Sequence, residues 1–503
     1  MSLEHNCGVA AVYLKRPLGE YKFGGAANYL HLMLEQMQTR GRLSAGVVVY
    51  KEPGNKLVRH VGPGLVNQVF RMHEPEKHME LKQFLSSISG IGHLRYATSG
   101  DGIADEAVLK EAQPFLREHG KSWKNYGFAF NGNLTNYFDL RNELTNVHGY
   151  TVNTSVDTEV MMHFLAIDLK SLSENGKPRL SDLVRKAASR FDGAFSAVMV
   201  NGDGDLIAFR DRNGFRPLVW GENDNLIAVA SESLALEKVG LTKFEDISSG
   251  GYLVVDKGKI TKGVYSEPRR SHCMFEWVYF SADPSVIEGI PVDLVRERLG
   301  EELAKVEPLR GKFTKDYIVV PVPDTSIPIA HAMARQLGLE FVPAIYKNPS
   351  FGRGFINKQT ERDRIMDGKY TIIRRRIESK KLIVVDDSVI RGDTFGRLAN
   401  QLRENGALEI HLRSACPPIK HPCFYGIDFP SLEELMASGT TTIDEAEMIV
   451  KRNMELDSMK YLGLDELINA IGMDRRHLCL ACLDGNYPTS GGREKFTSLR
   501  ILK

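Results

Sequence analysis

Two hydrophobic patterns divide the chain. In the first half, short apolar or β-branched runs at Val9 to Leu14, Ala45 to Tyr50, Ile91 to Tyr96 and Phe128 to Phe130 are separated by turn residues and predict strands. Leu30, Met33 and Met37 share one helical face, so the spacing predicts a helix over 29–37. Further helices are predicted over 157–169 and from Leu180 to about Arg190, the last leading into a strand at Ala194 to Val200. Strands continue at Leu206 to Arg210, Leu218 to Trp220 and Leu226 to Ala230. This order reads as sheets with helices packed outside them. The second half alternates instead. Tyr317 to Val320 is followed by a helical pattern from Ile327 to Leu337, closed by Gly338; Leu382 to Val385 is followed by a helix to Asn405, closed by Gly406. Uninterrupted apolar strands alternating with helices predict a parallel sheet covered on both faces. The pattern changes near 240–275, where a domain boundary is expected.

Length and composition narrow the class. At 503 residues the chain is long enough for two to four domains and needs no disulfides to hold its core. Lys and Arg number 65 against 64 Asp and Glu, a formal net charge of +1, so no nucleic-acid-binding surface spread over the whole chain is indicated. No apolar run approaches 18 residues, and the start, Met1-Ser2-Leu3-Glu4-His5-Asn6, lacks a basic segment and an apolar core, so neither a membrane protein nor a secreted one is expected, and the location expected is cytoplasmic. Six cysteines are too few for a disulfide scaffold.

The first candidate site begins at Cys7. A lone cysteine before a strand is by default a buried core residue. Removal of six residues would make it N-terminal, however, and an N-terminal nucleophile carries its own base in an α-amine with an ordinary pKa near 8. Other segments supply the remaining parts. Arg95 lies at a strand end in Gly92-His93-Leu94-Arg95-Tyr96 and can grip a carboxylate. Asn131 and Gly132, read as a turn within Phe130-Asn131-Gly132-Asn133, can form an oxyanion hole. Asp157 can accept an ammonium. Together these fit an α-amino acid such as glutamine. Read singly, Asn131-Gly132 is a hairpin turn and Arg95 a solvated ion-pair residue.

The surrounding motifs make a specific match. Gln38-Thr39-Arg40-Gly41-Arg42-Leu43-Ser44-Ala45-Gly46, Ala112-Gln113-Pro114-Phe115 and Arg210-Asp211-Arg212-Asn213-Gly214-Phe215-Arg216-Pro217-Leu218 resemble the class II, N-terminal-nucleophile glutamine amidotransferases. The resemblance implies an αββα sandwich over 7–240, a propeptide at 1–6, and Arg40 and Thr98 beside Arg95 and Asp157 in glutamine binding.

A second site lies in Val384-Val385-Asp386-Asp387-Ser388-Val389-Ile390-Arg391-Gly392-Asp393-Thr394. A buried strand ends in two carboxylates, then a loop opens a helix. Ligands bind at such carboxyl ends of parallel sheets. Paired aspartates can hold ribose hydroxyls and hydrated Mg²⁺, and the helix N–H groups after Gly392 can take a phosphate. The plain alternative is a capping turn. The motif resembles that of type I phosphoribosyltransferases, which bind phosphoribosylpyrophosphate. That resemblance implies Mg²⁺ at Thr325, Asp386 and Asp387, substrate contacts from Ser388, Arg391, Gly392, Thr394, Lys347 and Arg353, and a closing loop around Lys347 to Ile356.

A glutaminase followed by a phosphoribosyltransferase resembles the amidophosphoribosyltransferase family, over roughly residues 7 to 490. The implied architecture is the sandwich, a connector at 241–275, a parallel α/β phosphoribosyltransferase domain over 276–460 and a C-terminal segment over 461–503. The implied reaction converts phosphoribosylpyrophosphate, glutamine and water to 5-phosphoribosylamine, glutamate and pyrophosphate, the first step of de novo purine synthesis. A homotetramer and purine-nucleotide inhibitors are implied likewise. Four more cysteines, Cys273, Cys423, Cys479 and Cys482, the last two in Cys-Leu-Ala-Cys, suit a [4Fe–4S] cluster or a structural zinc, and a lone C-x-x-C also suits a redox pair. One branch of the family carries an iron–sulfur cluster in these contexts, which favours the cluster.

Some positions depart from the family pattern. Thr39 stands for His, Arg42 for Gln, Phe130 for His, Pro349-Ser350 for Arg-Tyr in the closing loop, and Asp393 for Thr in the phosphate loop. An anion beside a phosphate is repulsive. These departures motivate a rival reading, a phosphoribosylpyrophosphate-sensing regulator without turnover, or a paralogue with another acceptor.

Overall fold

The computed structural model describes residues 7–21, 24–52, 54, 56–96, 105–174, 176–348, 369–427 and 431–501. Two antiparallel sheets form the first half. One has seven strands, in the spatial order Glu245–Asp246, Val219–Glu222, Leu226–Ala230, Gly8–Leu14, Ser89–Arg95, Ser44–Lys51, Lys56–Pro63. The other has six, in the order Lys259–Val264, Gly251–Asp256, Leu206–Arg210, Gly193–Asn201, Tyr126–Leu134, Phe115–Arg117.

The side chains show why four layers form. Along Gly8–Leu14, Val9 and Ala11 enter a core shared with Ala129, Val198 and Leu253 of the other sheet, while Ala10 and Val12 pack with Leu30, Met33 and Leu34 of the helix Ala26–Gln36. On the far side, Phe128, Phe130 and Phe195 pack with Val160, Phe164, Leu183 and Val184 of the helices Asp157–Leu172 and Leu180–Ala188. Both faces of both strands are buried, so the runs carry little polar alternation. The result is helix, sheet, sheet, helix.

Two expectations change here. The segment 241–275, expected as a connector, contributes the strands Gly251–Asp256 and Lys259–Val264 to the second sheet, so a boundary at 240 cuts through a sheet. The short strand at 128–130 runs over Tyr126–Leu134 and pairs along its whole length with Gly193–Asn201, Asn131 opposite Ser196 and Gly132 opposite Phe195. Asn131-Gly132 is therefore not a hairpin turn.

The second half is a five-stranded sheet, in the order Glu340–Phe341, Tyr317–Pro321, Lys381–Asp386, Glu409–Ser414, Ser458–Tyr461, every neighbouring pair parallel. Val319, Ile383 and Val385 face the helices Val292–Lys305 and Ile327–Leu337. Ile318, Leu382 and Val384 face the helices Asp393–Glu404 and Ile443–Asn453. Gly338 closes its helix at φ 68°, a left-handed position that suits glycine. Among the described residues no helix is long and apolar enough to cross a membrane.

Candidate active sites

Cys7 heads the strand Gly8–Leu14, whose neighbour ends in Arg95; Gly8 sits opposite Leu94. The Tyr96 N–H donates to Cys7 Sγ at 3.5 Å. Burial pushes the Cys7 thiol up, opposed by its bond with Tyr96 and the positive fields of Arg95, Arg216 and Arg40. Arg95 is 3% exposed and pairs with Glu111 at 2.5 Å, whose other oxygen accepts from Ser155 Oγ. Asn131 is 2% exposed, and its side-chain N–H₂ has no hydrogen-bond partner among the described residues. A buried donor left without a partner costs free energy unless a ligand supplies the acceptor. Gly132 sits at φ 149°, and a Cβ there would collide with the Ala194 carbonyl, so only glycine fits. Asp157 opens its helix and accepts the Leu134 N–H at 2.6 Å, which ties it to the strand of Asn131. Burial pushes Asp157 up to about 6, against the Leu134 bond and the charge of Lys495. The fold thus brings Cys7, Arg95, Asn131, Gly132 and Asp157 to one end of the sandwich. Thr98 lies outside the described residues.

Arg40 is held by internal ion pairs. Its guanidinium donates to Glu232 at 2.5 Å, Glu276 at 2.6 Å and Ser281 at 3.1 Å. A fully buried cation needs paired anions, and Arg40 Nη1 is left without a hydrogen-bond partner among the described residues. Thr39 and Arg42 beside it are exposed. Two departures from the family pattern therefore face solvent. Phe130 is buried in the core between sheet and helices.

The second site is a cleft at the carboxyl end of the parallel sheet. Asp324, Thr325, Lys347, Asp386, Asp387, Ser388, Arg391 and Gly392 line it, together with Lys369 and Tyr279. Burial pushes both the Asp386 and Asp387 carboxyls up; the Asp387 charge adds to the rise at Asp386, and the Ser388 bond with the charges of Arg296, Lys369 and Lys347 opposes it at Asp387. Adjacent carboxylates, Asp387 buried and Asp386 half-buried, suit a bound cation. Lys347 pairs with Asp324 at 3.3 Å and Arg391 with Glu434 at 2.7 Å. Gly392, at φ 83°, precedes the helix Asp393–Glu404, whose first turn faces the cleft. Arg353, Pro349 and Ser350 lie outside the described residues, as do the side chains of Asp393 and Thr394.

Cys273, Cys423, Cys479 and Cys482 line one further cavity with Arg216, Phe215, Tyr425 and Tyr487. A parallel bridge sets Cys273 opposite Cys479. Cys416 is buried outside that lining. Among the described residues no three His, Cys, Asp or Glu side chains are grouped to hold one metal ion.

Comparison with known proteins agrees with this geometry. A family model described as a glutamine amidotransferase domain matches residues 103–238. The amidophosphoribosyltransferase of Methanothermobacter thermautotrophicus is 36% identical over 488 residues, covering 96% of this chain and 94% of that protein. The chain belongs to the amidophosphoribosyltransferase family. The Bacillus subtilis amidophosphoribosyltransferase is 33% identical, covering 97% of this chain and 95% of that protein. The solved structure of the B. subtilis glutamine phosphoribosylpyrophosphate amidotransferase complexed with ADP and GMP superposes with a TM-score of 0.80, at 32% identity over 96% of this chain and 98% of that one. A structure described as the allosteric regulatory enzyme of purine biosynthesis gives 0.81.

Several residues of this amidophosphoribosyltransferase family member escaped the sequence reading. Glu111 precedes the quoted Ala112-Gln113-Pro114-Phe115, and Gln113 Oε1 accepts the Phe130 N–H at 2.9 Å. Arg210, Asp211 and Arg216 lie in a quoted motif that carried no assigned role. All three are buried, and Asp211 binds the Phe195, Asn213 and Phe215 N–H groups. Lys369, 8% exposed beside the aspartate pair, follows the closing loop and carried no motif.

Proposed function

We propose that the chain runs its family's reaction as two half-reactions, and that the residues gathered at each site carry them. Removal of Met1 to Asn6 exposes Cys7, whose α-amine then takes the thiol proton. Arg95, oriented by Glu111, holds the glutamine α-carboxylate, and Asp157 holds its α-ammonium. Cys7 Sγ attacks the amide carbon. Asn131 Nδ2 and Gly132 N–H stabilise the oxyanion, and the amine returns its proton to the departing ammonia. Water then hydrolyses the γ-glutamyl thioester to glutamate. The observation that carries this reading is the buried, unpartnered Asn131 amide beside the obligatory glycine.

Ammonia displaces pyrophosphate from the anomeric carbon in the second cleft. Asp386 and Asp387 bind the ribose hydroxyls. Ser388, Arg391, Gly392 and the N–H groups of the helix starting at Asp393 bind the 5′-phosphate, while Lys347 and Arg353 serve the pyrophosphate side. Thr325, Asp386 and Asp387 would hold Mg²⁺, which when bound neutralises charge on the leaving pyrophosphate.

The four cavity cysteines fit a [4Fe–4S] cluster. Zinc requires its thiolates around one centre, with bonds near 2.3 Å, whereas a cluster spreads four thiolates over four irons. The four cysteines lining one cavity, with the motif resemblance, support the cluster. When bound, the cluster supplies a covalent staple between the C-terminal segment and the body. Inhibition by purine nucleotides is proposed because the B. subtilis structure was solved with ADP and GMP; a homotetramer and a cytoplasmic location rest on the motif resemblance.

Incubating anaerobically prepared protein with glutamine, Mg²⁺ and phosphoribosylpyrophosphate, and measuring glutamate and pyrophosphate, tests the reaction. Equal yields of both products are expected. Binding of phosphoribosylpyrophosphate without either product would favour the regulator instead.

A further inference from the structure

The cysteine cavity and the oxyanion strand touch through one loop. Cys423, Tyr425 and Ile427 turn toward the cavity. The other side of the same loop lies on the strand Tyr126–Leu134. Asn133 Nδ2 donates to the Phe424 carbonyl at 3.0 Å. At Gly426, φ 92°, a Cβ would stand 3.2 Å from the Gly132 carbonyl carbon and 3.3 Å from its oxygen. Arg216 Nη2 donates to the Tyr425 carbonyl at 2.8 Å, and Phe215 stacks on the Tyr425 ring with centroids 4.2 Å apart.

This contact falls where the strand is least supported. On one side Tyr126–Leu134 pairs with Gly193–Asn201 throughout. On the other, Phe115–Arg117 pairs only with Tyr126 to Phe128. Among the described residues, Asn131, Gly132 and Asn133 therefore have no strand neighbour on that side. An oxyanion hole acts through donors fixed in advance, and displacements near 1 Å cost on the order of 10²-fold in rate.

We propose that the loop Cys423 to Ile427 positions the oxyanion hole, with Gly426 and Asn133 as its positioning residues, so that the cysteine cavity and the glutamine site form one mechanical unit. The inference rests on the oxyanion role given to Asn131 and Gly132. The occupant of the cavity sets the loop, and the loop sets the Gly132 backbone. Neither positioning residue touches glutamine, so both act on the transition state and leave ground-state binding alone.

Two variants of the full chain test this beside Asn131→Ala. Gly426→Ala pushes a methyl group against Gly132 and strains a left-handed position. Asn133→Leu removes the tie to Phe424 with little change in volume. For both, kcat of glutamine hydrolysis should fall about tenfold or more while KM for glutamine stays within about twofold, the pattern of a lost transition-state interaction. Ammonia-dependent synthesis, the rate of Cys7 alkylation by iodoacetamide, and the iron content should match the parent. Unchanged kcat in both variants overturns the proposal. So does a parallel loss of ammonia-dependent activity or iron, which would mark the loop as a support of the whole fold. If Asn131→Ala leaves glutamine hydrolysis intact, the oxyanion assignment itself fails and the inference goes with it; if it lowers hydrolysis and both loop variants do not, the inference alone fails.

Discussion

Asn131, Asp157 and Arg95 are buried polar groups in an otherwise apolar sandwich. Each has a distinct electrostatic setting: an amide lacking an acceptor among the described residues, a carboxyl raised by burial, and a guanidinium matched to Glu111. The Asp157 setting gives a pH dependence. In the role proposed for it, the carboxyl is protonated below about 6 and would not attract the glutamine ammonium; above it the attraction would be complete. KM for glutamine should therefore rise as pH falls through about 6, and Asp157→Asn should raise KM at neutral pH and flatten that dependence, as read from steady-state kinetics between pH 5 and 8. The same group has a stability sign. Its folded pKa lies above the ordinary carboxylate value, so its contribution is largest at low pH and declines as pH rises through the window from 3.8 to about 6. Cys7→Ala should abolish glutamine use and leave synthesis from added ammonia intact, because the acceptor cleft is built by the other sheet. Loss of both activities would place Cys7 in the fold rather than in the chemistry.

Strand ends and helix starts set the elements' working geometry. The strand Tyr126–Leu134 continues through an Asn-Gly pair that on its own reads as a turn, because the wide sheet offers Gly132 a partner at Phe195 and the close Ala194 carbonyl demands a residue without a side chain. Turn chemistry and a positive-φ strand glycine draw on the same residue types, so local sequence does not separate them. Gly132→Ala should cost on the order of 2 kcal/mol or more, from strain at a positive-φ position plus the collision, and urea unfolding reads this directly. A stability within a few tenths of the parent would mean that the strand relaxes freely there. In the second half, the helices Ile327–Leu337 and Asp393–Glu404 form where their apolar periodicity and closing glycines place them.

At the scale of the molecule, the two halves meet through buried charge. Glu276 receives Arg40 at 2.6 Å and Arg216 at 3.1 Å, and accepts Ser281 Oγ at 2.9 Å, with every member almost fully buried. Removing the shared carboxylate leaves the buried Arg216 without an anion among the described residues and Arg40 with Glu232 alone. Glu276→Ala should destabilise the protein by about 3–5 kcal/mol, seen as a lower midpoint in denaturant, whereas a loss below about 1 kcal/mol would mean that Glu232 compensates. The cysteine cavity joins residues more than 200 positions apart. Serine at Cys273, Cys423, Cys479 or Cys482 should lower both iron content and thermal stability, because metal binding and folding share one free energy; Cys416→Ser should do neither. Elemental analysis giving one zinc and no iron would replace the cluster by a single-ion site.

What the sequence determined by itself was everything carried by short-range pattern. The periodicities set sheets with helices outside them and a parallel sheet, the motif resemblance added the αββα sandwich, and the strand ending in Asp386-Asp387 pointed to the second site, because one local motif holds both the buried strand and its carboxylates. Cys7, Arg95 and Asp157 were legible from residue chemistry. The tertiary structure decided what depends on long-range partners. Arg40 pairs with Glu232 and Glu276, about 200 residues away, and nothing in its own motif shows those partners. The sheet extends past residue 240 because Tyr252 pairs with Phe209, not because the intervening residues change in character. Glu111 and Lys369 carry no motif of their own; each acquires its place from a neighbour that only folding supplies. Burial, pairing and the cost of an unpartnered charge are properties of the packed chain, and local sequence does not contain them.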